Sequence, residues 1–85
     1  MTLKDLAARS PSFDMRLRSL QGSWEPDWEK LRIDMEDRPA LVRQTRRDSV
    51  LWLYGYIVAL ADKKLIDMGD AERMQCEILD LKDAL

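Results

Sequence analysis

The 85 residues include 14 basic and 16 acidic side chains, for a net charge of −2, with apolar residues at 46% and charged residues at 35%. One domain with one small core is all this length allows, and the even mixture of signs excludes a chain drawn as a whole onto nucleic acid or built as a polyanion. Histidine is absent, which removes the commonest general base and metal ligand and excludes Ser/His/Asp and Cys/His nucleophilic arrangements.

Thr2, with Asp5 three places on, has the pattern of a capping box opening a short helix through about Arg9. Ser10-Pro11 restarts the chain, since proline is tolerated at the first helical position, and Gly22 ends a second helix spanning Pro11 to Gln21. Phe13, Met15, Leu17 and Leu20 give that helix an apolar side, with Arg16 and Arg18 turned elsewhere. Ser23-Trp24-Glu25-Pro26 is another cap-and-proline entry. It predicts a third helix from Asp27 to Asp37, with Trp28, Leu31 and Met35 on one stripe and Ile33 at its margin.

Pro39 disfavours an α conformation at Arg38 and so interrupts the pattern, leaving Asp37 as a cap for the next helix. From Pro39 to Lys64 a single long helix is expected, in preference to a break at the cap-like pair Asp48-Ser49. Within it, the twelve residues Val50 to Ala61 carry no charge, which predicts burial on most of the helix circumference. Twelve residues are too few to cross a bilayer core, which takes about 20 in a helix. Gly55 costs about 1 kcal/mol against alanine in a helix interior, so it is read as the mark of a close helix crossing.

Leu65 to Asp70 forms a corner in which Asp67 can cap the last helix, with Asp70 at the capping-box position and Glu72 in the first turn. That helix is expected over about residues 68–82. Ala71, Met74, Ile78, Leu81 and Leu85 make a seam at steps of three and four, and Ser49, Leu53, Tyr56 and Leu60 step likewise, so the two helices should pack as an antiparallel hairpin. Leu60, Leu65-Ile66-Asp67, Glu72, Ile78 and Leu79 resemble the SHOCT two-helix domain, although Lys64 stands where that family has glycine and Met74 where it has an aromatic residue. The resemblance spans only this corner and helix; it implies a way of turning between helices and no function.

Few residues point to chemistry. Cys76, inside the last helix with Glu77 and Asp80 nearby, is read as a small half-buried hydrophobe; a single cysteine and the lack of a leader-like N-terminus fit a cytoplasmic protein. Asp67, Asp70 and Glu72 are read as helix-start charges, with no metal or other cofactor implied, and no glycine-rich phosphate loop is present. Arg43, Arg46 and Arg47 share one helix face and could grip carboxylates or phosphates, with Arg16, Arg18 and Arg38 extending the patch if the second helix packs alongside. The competing expectation is that they pair internally with Asp34, Glu36 and Asp37. Trp24 and Trp28 are the aromatic candidates for a partner surface, against the alternative that they close the bottom of the core.

The expectation is therefore an all-α single domain over residues 1–85, a four- or five-helix bundle around a long central helix (about 39–64) with the C-terminal helix (about 68–82) packed antiparallel. The expected function is non-catalytic: binding to a larger protein or complex, or to further copies of itself, so as to regulate or inhibit the target. Compact helical chains without a catalytic inventory are similar to inhibitors and accessory factors of phages and mobile elements, including anti-CRISPR-like anti-defence proteins. The rival expectations are a nucleic-acid-binding regulator using the arginines on phosphates and an oligomeric sponge for a small anion, with Tyr54 or Tyr56 at subunit interfaces.

Overall fold

The computed structural model describes residues 1–22 and 25–83. Within them the chain forms five α-helices and no strand: α1 (Leu3–Arg9), α2 (Pro11–Gln21), α3 (Trp28–Leu31), α4 (Arg38–Asp62) and α5 (Met68–Asp83). None of these helices is long and apolar enough to cross a membrane.

Local chemistry accounts for the first two boundaries. The Thr2 hydroxyl accepts from the Asp5 backbone N–H at 3.2 Å while the Asp5 carboxylate accepts from the Thr2 N–H at 2.9 Å, closing both halves of a capping box. Ser10 ends α1 and caps α2 through its hydroxyl, and Pro11 fills the first position of α2. Gly22 then takes the left-handed conformation, with φ of 75°, that terminates a helix cheaply only at glycine.

Helix α4 is continuous through Asp48-Ser49 and forms the spine, with α2 and α5 packed against it and α1 lying on α2. Phe13, Leu17 and Leu20 from α2 meet Leu53 and Ile57 from α4 and Ala71, Met74 and Ile78 from α5 in one core, with Leu3 and Leu6 of α1 at its edge. Phe13 sits against Trp52 and Tyr56, with ring centroids 6.2 and 5.3 Å away, and those two rings stack at 5.1 Å. Two buried serines join α2 to α4: the Ser19 hydroxyl lies 2.8 Å from that of Ser49 and also donates to the Arg16 carbonyl at 2.6 Å. Arg16 closes this junction, its Nη1 3.5 Å from the Ser49 hydroxyl and its guanidinium over the Trp52 ring. Among the described residues no buried side-chain polar atom lacks a partner.

Four expectations need correction. The third helix stops at Leu31, where Arg32 turns left-handed with φ of 53°, instead of running to Asp37. Among the described residues only Trp28 of the stripe it would have carried is partly covered, by Arg38, while Leu31 is 52% and Met35 77% exposed; a short helix with so little packing does not sustain itself. Helix α4 begins one residue early, at Arg38, and the Asp37 side chain makes no cap hydrogen bond. The uncharged run, by contrast, is buried or half-buried over most of its circumference as expected, and its open strip is confined to Leu51, Gly55, Val58 and Ala59. Gly55 marks no crossing among the described residues, since a Cβ there would meet none of them within 4 Å. Cys76 is exposed, not half-buried.

Candidate functional site

Arg43, Arg46 and Arg47 occupy the first half of α4, where the helix has outrun the aromatic core and presents charge to one side. Arg43 and Arg47 are exposed and Arg46 is half-buried, its Nε 3.4 Å from the Ser19 carbonyl at the end of α2. Together with Leu20, Val50, Leu51 and Lys82 they line a groove of about 470 Å³. Lys82 reaches it from the last turn of α5, so the end of α5 lies beside the start of α4 and the two helices run antiparallel. The floor is apolar, with Leu20 buried and Val50 half-buried, and Leu51 forms an exposed wall.

No carboxylate lines this groove, and among the described residues none of its four basic side chains is within ion-pair distance of an acid. The expected internal pairing with Asp34, Glu36 and Asp37 does not occur. With α3 only four residues long, the acidic segment lies beside the first turns of α4 only, where Asp34 and Asp37 line a separate hollow with Arg32, Ile33, Ala40, Leu41 and Gln44 and do not reach the groove arginines. Four cations are therefore held together around an apolar surface with no ion-pair partner among the described residues, an arrangement that favours a ligand bearing both negative charge and apolar area.

The other candidate residues are spread over different places. Arg16 belongs to the serine junction and the Trp52 face, away from the groove. Arg18 pairs with Asp14 one turn earlier on α2, its Nε 3.0 Å from the carboxylate, and that hydrogen bond raises the guanidinium pKa above its ordinary value. Arg38 stands over the Trp28 ring at 5.2 Å and its Nε is 3.4 Å from the Ile33 carbonyl, so it holds the 32–37 segment in place instead of widening the patch. Trp28 is half-buried against Arg38 and lies outside the main core, which overturns its expected role in closing it. Trp24 and Leu85 fall outside the described residues.

Of the acidic group at the corner, the Asp70 carboxylate is held by local partners. Asp70 accepts from the Met1 amino group at 3.3 Å and pairs with Arg73 at 3.1 Å, while Asp67 accepts from the Ala71 N–H at 2.9 Å through its backbone carbonyl. Among the described residues no group of three His, Cys, Asp or Glu side chains is placed to hold a metal ion.

Lys82, Leu20, Val50 and Leu51 are the groove residues that the arginine spacing alone did not single out. A signal for Lys82 was nonetheless present, because an antiparallel hairpin with a corner at residues 63–67 sets the last turn of α5 next to Arg47. No family model, curated protein or solved structure matches the chain, so the groove is read from its own chemistry.

Proposed function

We propose that this is a small non-catalytic binding protein that attaches to a larger protein through the α4–α5 groove and thereby regulates or blocks it. One observation carries the reading: Arg43, Arg46, Arg47 and Lys82 surround an apolar floor and no acid of the described chain neutralises them. The partner segment that fits is acidic and amphipathic, placing carboxylates on the arginines and an apolar side chain against Val50 and Leu51.

Affinity capture from the native host lysate tests this, with the tagged protein and the Arg43→Ala/Arg47→Ala variant side by side. Both side chains are exposed and make no hydrogen bond or ion pair among the described residues, so the variant keeps the fold while Arg46 retains its contact with Ser19. The reading expects one protein or complex recovered by the parent chain and bound at least about tenfold more weakly by the variant. Equal recovery by both chains would overturn it. Recovery of nucleic acid, lost steeply with added salt, would put the arginines on phosphates instead.

A further inference from the structure

The exposed side of α4 carries the sequence Arg47, Leu51, Gly55, Val58 and Asp62 at steps of four, four, three and four, a single stripe about 22 Å long. All five are exposed, Leu51 at 73% and Val58 at 41%. Neither Arg47 nor Asp62 has an ion-pair partner among the described residues. Asp62 is also the last residue of the helix, with no basic residue in that turn, where the negative end of the helix disfavours a carboxylate. Lys63 at the C-cap and Lys64 beyond it supply positive charge at this end, but neither forms an ion pair with the Asp62 carboxylate.

The stripe is complementary to itself. Turned over about a two-fold axis between Tyr54 and Gly55, it sets Leu51 against Val58 of a second copy and Arg47 beside Asp62 of that copy, and the symmetry makes each contact twice. Gly55 lies at the centre with open space where its Cβ would be, which lets the second helix approach closely. We infer that two copies of this chain pair through α4, antiparallel, with reciprocal Arg47–Asp62 ion pairs flanking an apolar contact between Leu51 and Val58. Arg47 and Leu51 also line the groove, so a second copy and an acidic partner compete for those two side chains. The pairing itself rests on the stripe and not on the partner reading.

Sedimentation velocity across a wide concentration range tests the inference, using the parent chain, Asp62→Arg and the double exchange Arg47→Asp/Asp62→Arg. The parent mass should rise from 10.0 kDa towards twice that value. Asp62→Arg, which removes a carboxylate from the negative end of α4 and leaves the core untouched, should raise the dissociation constant by at least about tenfold. The double exchange should restore the dimer. A parent chain that stays monomeric, a higher assembly, an Asp62→Arg chain that pairs as before, or a double exchange that stays monomeric would each overturn it. Asp62 lies outside the groove, so capture of a partner by Asp62→Arg reports on the groove alone and keeps the two readings separable.

Discussion

Trp28, Leu31 and Met35 repeat at the same helical steps as Ala71, Met74 and Ile78, yet the second set is buried throughout while the first is half-buried at Trp28 and exposed at the other two. Met74 and Ile78 are fully enclosed between α2 and α4, whereas Leu31 is 52% and Met35 77% exposed on a segment that abandons its helix after one turn. The difference lies in what faces each stripe. Helix α5 is joined to α4 by a short corner that lays its apolar side along Leu53 and Ile57, and the buried contacts stabilise a helix that propensity alone would leave marginal. Among the described residues no helix lies along Leu31 and Met35 in the same way. Its fixed points are the Asp27 cap, the Arg38–Trp28 contact and the left-handed turn at Arg32.

The sharpest way to break this contrast is to truncate one residue from each region. Ile57→Ala should cost about 2–5 kcal/mol, because it opens a cavity in a fully enclosed site, and Met35→Ala should stay within about 0.5 kcal/mol. Urea denaturation of both variants checks this, and similar losses would mean that the 25–37 segment is packed after all. A smaller change sharpens the account of α4. Gly55→Ala has room for its methyl and should stabilise the chain by about 1 kcal/mol, raising the melting temperature by about 4–8 °C at concentrations too dilute for pairing.

The smallest effect concerns α1. Hydrogen bonds from the Thr2 backbone N–H and hydroxyl hold the exposed Asp5 carboxyl below its ordinary value of 3.8. A depressed carboxyl pKa contributes stability that is fully present above the unfolded value and is lost as pH falls through the lower folded one. Amide exchange in α1 should therefore accelerate, after correction for intrinsic rates, as the solution is acidified through this range. Asp5→Asn should flatten the dependence.

Much of this fold was legible in the sequence because its signals were local or periodic. The Thr2–Asp5 box, the Ser10-Pro11 restart, the Gly22 stop and the long helix through Ser49 all appear within a residue or two of where local chemistry put them. The third helix was misjudged because a periodic stripe records what a helix could bury and says nothing of whether a surface stands opposite. The uncharged run was the better guide, though it did not say which strip stays open. Its apolar composition called for burial over most of the circumference, which α2 on one side and α5 on the other supply, leaving open the stripe through Leu51, Gly55 and Val58. Of the groove, the arginine face was legible from spacing. Its lack of an acidic counterpart was not, since that depends on where the 25–37 segment goes.

The most direct measurement is hydrogen exchange of the chain alone and mixed with its captured partner. The account predicts new protection concentrated in residues 43–51 and the last turn of α5, where Arg43, Arg46, Arg47, Leu51 and Lys82 meet, with little change across residues 28–37. Protection confined to the 28–37 segment, with the start of α4 unaffected, would contradict it.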